Sequence, residues 1–508
     1  MNYPELNVYR FKTESGNEYL YDNVSGIVFP CSEAMHYTIS NFYKVDKDNI
    51  IDYLQKEFNL DFNGSLVVYN YVKTMLDNDC FYKKENQLVQ RELTEEDLYK
   101  TSLSQLILIV TEDCNMRCKY CMYSDNYPHV KGYSKKQMSM DVAKKAIDYY
   151  IDLHLKRVDH GFKREPVINF FGGEPLLEFE LMKNIVKYCK EKDYNPVLFI
   201  TTNFTLFNDE IMNFIIDNDV VLTISLDGSK KNNDRNRIFP NGRGSYGLIM
   251  ENIIKLQNEK KRRNKEQALT FSCCFDSYTD MCDTVSFFEA NHDMFYPYNV
   301  IYNQISKYNT TYYEYCDNAY DNGLIKEDKN TLNNSVQILK DEFLNSAIMN
   351  ESSPSIGLTY LFFGLINIIW RTKGLMPNLN NSACIPGSKI AVDPDGKFYV
   401  CERMAQSCSI GDVDNKISVQ KVINMSNEYL SIIGEHCKDC NISRLCSMCY
   451  THLAKDDKLE FNHQMCKDNK ISIPKAMETV FSVLEKNPNA FDMLIPDETN
   501  REFFEIIK

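Results

Sequence analysis

Three cysteines, Cys114, Cys118 and Cys121, stand in the stretch Cys-Asn-Met-Arg-Cys-Lys-Tyr-Cys, directly after the apolar run Leu106-Ile-Leu-Ile-Val110. Thiolates at this spacing on one loop can hold three corners of an iron–sulfur cubane. A four-iron cluster takes four thiolates, so three leave one iron open. Structural zinc wants a closed shell; an open iron suits a site that binds something further. A second block holds Cys384, Cys401, Cys437, Cys440, Cys446, Cys449 and Cys466. Its two CxxC pairs make a zinc ribbon the competing reading. Such ribbons leave about 15–20 residues between pairs, whereas five separate Cys440 from Cys446. His436, His452 and His463 lie nearby and read as surface or hydrogen-bonded groups rather than ligands.

Between the blocks, polar residues follow β-prone runs. Gly172-Gly173-Glu174-Pro175 follows Val167–Phe171, and Thr201-Thr202-Asn203 follows Val197–Ile200. Ser225-Leu-Asp227-Gly228 ends the run from Val220, and Asp234-Arg-Asn-Arg237 comes shortly after. The two glycines allow close backbone approach. Glu174 can accept from an ammonium, and Arg237 can grip a carboxylate with two parallel bonds. Singly, each polar residue reads as well as a turn or cap; at successive strand ends they read as one site.

The elements that position these residues alternate from about 104 to 305. Strand-like runs are the one ending at Val110, then Val167–Phe171, Val197–Ile200, Val220–Leu226, Leu269–Phe275 and Tyr298–Tyr302. Helical patterns lie between them, one capped by Ser139 with Ala143, Ile147, Tyr150 and Ile151 on one face. Repeated βα units predict a parallel sheet with right-handed crossovers. Functional groups then belong at the C-terminal strand ends. Residues 1 to about 95 read as a separate small domain: three short strands split by turn residues, then helices from Ser32 and Lys47. Residues 306–380 read as a helical bridging region and 471–508 as a helical tail.

The 508 residues carry a formal charge of −14 and are 44% apolar, which suits buried cores and not a nucleic-acid clamp. No basic and apolar secretion signal opens the sequence. The dense apolar run Tyr360–Trp370 is too short to span a bilayer. Eighteen cysteines without export are better explained as metal ligands and buried thiols than as disulfides. A cytoplasmic protein with no membrane partner is expected.

Cys114–Cys121, with aromatic Tyr120 before its third cysteine, resembles the radical S-adenosylmethionine (AdoMet) superfamily, and the match extends through Gly172–Pro175 and Ser225–Gly228. The second block resembles the seven-cysteine SPASM domain. Together the likeness covers roughly residues 104–466. It implies an α/β fold: a partial (βα)6 TIM-like barrel, an N-terminal winged-helix-like α+β domain (1–95) and a C-terminal SPASM domain (381–470). It implies that AdoMet sits on the open iron of the Cys114/Cys118/Cys121 cluster and is cleaved to a radical that abstracts hydrogen. Gly172, Gly173, Glu174, Asn203, Ser225, Asp227 and Arg237 would bind AdoMet. Two auxiliary four-iron clusters would make three in all. Cys437, Cys440, Cys446 and Cys466 would enclose one; Cys384, Cys401 and Cys449 would hold the other, left open or closed by a group such as Cys408. Glu402 occupies the place of an Asp implicated as a base in sulfatase-maturing relatives. Phe204 replaces a glycine of the family pattern, Asn233 a histidine, and Cys446–Cys449 has one residue fewer than usual. The expected activity is crosslinking of a ribosomally made precursor peptide held by the N-terminal domain, a thioether first, with electrons from a flavodoxin or ferredoxin. The alternatives are sulfatase-maturase-like oxidation of a protein Ser or Cys, and a non-catalytic zinc or iron–sulfur regulator.

Overall fold

The computed structural model describes residues 4–83, 105–128, 132–159, 165–349, 356–362, 364–365, 368, 389–404, 408–455 and 458–491. It begins with an antiparallel meander, β1 (Val8–Lys12), β2 (Glu18–Asp22) and β3 (Ile27–Pro30). Asp22 makes the second turn by accepting from Val24 and Ser25 backbone N–H groups at 2.9 and 3.2 Å. Three helices follow: α1 (Glu33–Asn41), α2 (Lys47–Phe58) and α3 (Phe62–Asp77). Ser32 caps α1 and Asp61 caps α3 through side-chain oxygens. Leu20, Phe29 and Cys31 face the helices, where they meet Met35, Ile39 and Val72. Phe11 and Tyr21 lie on the opposite face.

The six predicted strands form the centre of the molecule: β4 (Gln105–Thr111), β5 (Val167–Gly172), β6 (Val197–Thr202), β7 (Val221–Ser225), β8 (Leu269–Phe275) and β9 (Tyr298–Gln304). All pair in parallel, in chain order. Helices α4 (Met140–Asp159), α5 (Phe179–Glu191), α6 (Asp209–Asp217), α7 (Lys230–Asn236), α8 (Tyr246–Arg262) and α9 (Met281–Ala290) supply the crossovers. Strand residues alternate between faces. Ile168, Phe170, Leu198, Ile200, Leu222 and Ile224 enter the main core with the helices. Asn169, Thr201, Thr223 and Ser225 are their half-buried neighbours on the other face.

The sheet is larger than the six strands expected. β10 (Lys389–Val392) pairs in parallel with β4, and β11 (Lys397–Tyr399), β12 (Gly411–Asp412) and β13 (Lys416–Ile417) continue antiparallel from it. The order is β13-β12-β11-β10-β4-β5-β6-β7-β8-β9. These added strands are two to four residues long, too short for a periodic signal. Ile390, Val392 and Phe398 nevertheless bury in the same core as β4, so the second cysteine block is built onto the edge of the main sheet.

The bridging region contains α10 (Tyr312–Asp321), α11 (Thr331–Met349) and α12 (Ile356–Leu361). Five of the eleven residues of the Tyr360–Trp370 run lie outside the described residues. α13 (Val419–Cys437) leads into the CxxC pairs, and α14 (His463–Lys486) carries Cys466 and runs on past residue 470 with Pro474 inside it. The boundary expected at 470 thus falls within one helix. Among the described residues no helix is long and apolar enough to cross a membrane.

Candidate active site

β4 is buried along its whole length and delivers the chain into the first cysteine loop. Backbone bonds pin that loop to the segment after α7: Arg117 N–H donates to Ile238 at 2.8 Å and Lys119 N–H to Asn236 at 3.1 Å. Asn203, at the end of β6, donates to Asn115 Oδ1 at 2.8 Å, and Asn115 donates to Thr205 Oγ1 at 2.8 Å. Burial pushes the Cys114 thiol up to about 12, with Glu174, Cys118 and Cys121 adding to it. Burial also pushes Cys118 up to about 12, against the pull of Arg237. The fold alone therefore keeps both protonated, and a metal must displace those protons to bind.

The glycines are required by the approach of β5 to this loop. Gly172 has φ +143°, and a Cβ there would lie 2.2 Å from Thr111 O. A Cβ on Gly173 would lie 2.0 Å from Asp113 O, next to Cys114. The turn they make places Glu174 almost fully inside, 1% exposed. Its carboxylate accepts from Thr202 Oγ1 at 2.7 Å, Asn203 N at 2.7 Å and Leu176 N at 3.0 Å. Burial raises its pKa, and these three donors oppose the rise. A carboxylate offers about four lone-pair sites, so one remains for a further donor.

Phe204 stands where the glycine of the resembling pattern is expected. It adopts the left-handed conformation at φ +55°. Its ring is fully buried and packs 4.7 Å from that of Phe207, so core burial offsets the backbone strain.

Ser225 ends β7 beside Ser272 of β8. Beyond it, Asp227 accepts from Tyr120 O–H at 2.7 Å and from the Cys274 N–H at 2.9 Å. Burial raises the Asp227 carboxyl to about 6 while Arg237 pulls it down. Arg237, 5% exposed, donates from Nη1 to the same Tyr120 oxygen at 2.9 Å. Its Nε is buried with no hydrogen-bond partner. A buried guanidinium with an unused donor is costly until an acceptor completes it. In the sequence Tyr120 stands out only for its ring; in the fold its hydroxyl joins Asp227 to Arg237. Tyr133, twelve positions beyond Cys121, hydrogen-bonds the Cys121 thiol and stacks under Arg117 at 4.3 Å. No sequence signal marks it.

In the second block, Cys440, Cys446 and Cys466 lie near enough to Cys437 to act on it electrostatically. Burial raises Cys437 to about 12, and the other three add to the rise. Cys401, just after β11, senses Glu402 and Cys449. Glu402 has a buried Oε2 with no partner. Burial raises the Cys449 thiol, but hydrogen bonds from His452 and Thr451 outweigh it and bring the thiol down to about 7. His452 Nδ1 lies 3.3 Å from Cys449 Sγ, the hydrogen-bonded role expected of an isolated histidine. Cys384 lies outside the described residues. Cys408 is half-buried and packs against the main core. Among the described residues no three or more His, Cys, Asp or Glu are placed to hold a single metal ion.

A mixed sheet with six parallel central strands, a cysteine loop after the first of them and a buried arginine beside that loop defines an α/β class with its polar groups gathered at the strand ends. Residues 108–285 match the family model of the Radical SAM superfamily, so this part of the chain carries a radical SAM domain. A cysteine-type anaerobic sulfatase-maturating enzyme of Clostridium novyi is 31% identical over 169 residues, 32% of this chain and 42% of that protein. The radical SAM cyclopropyl synthase TigE of Paramaledivibacter caminithermalis is 23% identical over 220 residues, 42% of this chain and 44% of that one. The chain thus spans less than half the length of these curated relatives. Native anSMEcpe with bound AdoMet is similar in fold, with a TM-score of 0.51 at 19% identity, over 77% of this chain and 99% of that one.

Proposed function

We propose that the chain binds AdoMet at the Cys114 loop and uses it to crosslink a ribosomally made precursor peptide, forming a thioether between a cysteine sulfur and a carbon. Cys114, Cys118 and Cys121 would hold a four-iron cluster with one open iron. Glu174 has one acceptor site left for the AdoMet ammonium. Arg237 has an unpartnered Nε for its carboxylate. Ser225 lies within the same row of strand ends. Bound there, AdoMet and the cluster supply a radical able to take hydrogen from a substrate carbon. The chain's own part is placement. Asp227 and Arg237 hold Tyr120 from two sides, and Tyr120 adjoins Cys121, so hydrogen bonds tie Arg237 to the cysteine loop. The second block would carry two auxiliary clusters, with Cys437, Cys440, Cys446 and Cys466 around one and Cys401 and Cys449 beside the other. Glu402, with its unpartnered oxygen next to Cys401, is the group suited to take a proton there. A flavodoxin or ferredoxin would supply the electrons.

One observation carries the peptide reading. The N-terminal domain has a groove of about 740 Å³ between β2 and β3 and helix α3, lined by Tyr19, Pro30, Cys31, Met35, Val67 and Tyr71. β3 is an edge strand, and Val67 and Tyr71 are 66% and 42% exposed beside it. An extended peptide can add to such an edge and place alternate side chains in the groove. This is the winged-helix-like use expected of residues 1–95. The second reading is oxidation of a protein Cys or Ser, favoured by the likeness to the sulfatase-maturating enzyme. The test is anaerobic turnover of short cysteine-containing peptides encoded beside this chain, with wild type and Val67→Lys. Loss of two hydrogens from the peptide, weakened by Val67→Lys, is expected. Turnover of a sulfatase-derived cysteine peptide instead, with loss of its sulfur, would favour the second reading.

A further inference from the structure

The other face of the N-terminal sheet closes the four-cysteine group of the second block. The loop from Cys440 to Cys446 is covered at its middle, where Ile442, Ser443 and Leu445 are buried. Ile442 and Leu445 are each 3% exposed and pack with Phe11 and Tyr21, and with Ile473 and Met477 of α14. At the centre of this contact is Asn23, fully buried in the β2–β3 turn. Its Nδ2 donates to the Cys440 carbonyl at 3.2 Å and to Ser443 Oγ at 2.9 Å. Its Oδ1 accepts from the Arg444 N–H at 3.1 Å. One amide thus satisfies three groups of the short segment between two expected ligands, Cys440 and Cys446. From the loop side, Asn441 Nδ2 donates to the Val8 carbonyl at 3.0 Å. Asn469, on the helix that carries Cys466, donates to Cys446 Sγ at 3.3 Å.

A spacer of five residues between ligand pairs has many backbone conformations in isolation, and ordering each residue costs about 1–2 kcal/mol. Side chains of the loop itself supply none of the three bonds at Asn23 except the Ser443 hydroxyl. The loop's own backbone forms a short 3-10 turn, Ser443–Leu445, with Leu445 N–H bonded to Ile442 at 3.0 Å and Cys446 N–H to Ser443 at 3.2 Å; the bonds that fasten this turn in place come from more than four hundred positions away, in the turn Asp22–Gly26. The turn is in its own right held rigid by Asp22, which is also fully buried.

We propose that Asn23 is a positioning residue for the auxiliary site of Cys437, Cys440, Cys446 and Cys466, so that the N-terminal domain is a structural wall of that site as well as the platform for a peptide. The inference rests on reading those four cysteines as cluster ligands. Buried donors and acceptors left unpaired are more costly than the bonds they lose, so the loop relaxes when the amide is removed, and the ligands it carries spread.

The experiment uses the full chain, reconstituted anaerobically with iron and sulfide. Wild type, Asn23→Ala, Asn23→Ser and Asn441→Ala are compared, with exposed Lys73→Ala on α3 as control. Iron release to a chelator is followed together with the electron paramagnetic resonance spectra of the reduced clusters. The expected result is release from the auxiliary site roughly tenfold faster in Asn23→Ala, and less so in Asn23→Ser and Asn441→Ala, with a changed spectrum for that cluster alone. The Cys114-loop cluster and the control are expected to match wild type. Unchanged release and spectra in the three variants would overturn the proposal. If Asn23→Ala does not fold, Asn441→Ala and Asn23→Ser decide the question in its place. Wild type without any cluster at these cysteines would overturn the ligand reading itself, a failure distinct from unchanged variants.

Discussion

Replacing Gly173 by alanine adds one methyl group where β5 touches the cysteine loop. That carbon would lie 2.0 Å from the Asp113 carbonyl oxygen and 2.5 Å from its carbon, whereas real Cβ atoms stay beyond 3.0 Å. The two segments must separate by about 1 Å, and neither contacting atom is a flexible side-chain end. Two backbone bonds span the gap, Gly173 N–H to Thr111 and Glu174 N–H to Asp113, both 2.9 Å. At about 0.5–1.5 kcal/mol each, their loss or distortion is worth roughly 1–3 kcal/mol. The larger effect is local, because Asp113 precedes Cys114 and Glu174 follows Gly173. A displacement of about 1 Å in a catalytic arrangement costs on the order of 100-fold in rate. Gly173→Ala is therefore expected to unfold at lower urea, to bind less iron on reconstitution and to cleave AdoMet about 100-fold more slowly. Gly247→Ala is the matched control. A Cβ there meets nothing within 4 Å, and Gly247 stands in the first turn of α8, so the gain from Gly→Ala is at most the roughly 0.5–1 kcal/mol of a mid-helix site. Wild-type iron binding and cleavage in Gly173→Ala would refute the role given to this contact.

Phe204→Gly restores the glycine of the resembling pattern, yet it should destabilise. Losing the buried ring costs roughly 3–5 kcal/mol and relief of the left-handed strain returns about 1–2, so a fall of about 1–4 kcal/mol in urea unfolding is expected, and a gain would refute the accounting. Lys260 on α8 is 3% exposed, and burial lowers its pKa to about 8. The unfolded chain then binds more protons between that value and the ordinary lysine pKa of about 10.4, so the penalty is fully present below pH 8 and fades as pH rises toward 10. Lys260→Met should be more stable than wild type at pH 7 by an amount that shrinks by pH 10; a difference independent of pH would contradict this. Arg237→Met leaves Tyr120 with one partner and removes the unpaired donor, so AdoMet affinity should fall about 10–100-fold, as for loss of a charged hydrogen bond; unchanged binding in equilibrium dialysis would rule the arginine out.

The strands β4 to β7 were legible because each is a β-prone run of five to seven residues ending in a recognisable polar motif, and β8 and β9 by their β-prone runs alone. The cysteine loop, Glu174 and Ser225 end or directly follow a strand, whereas Arg237 was legible from its spacing to Asp234, at the end of the helix after β7. Helix α3 was not, because Leu66-Val-Val-Tyr-Asn-Tyr-Val72 is β-branched and aromatic, which disfavours helix in isolation; its packing against β2 and β3 decides the matter. Strands β10 to β13 were missed because runs of two to four residues carry no periodicity. Phe204 shows tertiary burial overriding a backbone preference. Tyr120, Tyr133, Asn23 and His452 act through hydrogen bonds to distant or local partners that only the folded chain brings together, so spacing along the sequence does not mark them.

If a radical reaction begins at the Cys114 loop, the anaerobically reconstituted, reduced chain must form 5′-deoxyadenosine from AdoMet. That product is measured for wild type beside Cys118→Ala. Steady formation is expected from wild type and none from the variant, with iron bound at the Cys114 loop only in wild type. No cleavage by a fully iron-loaded wild type, or equal cleavage by Cys118→Ala, would contradict the role given to the loop.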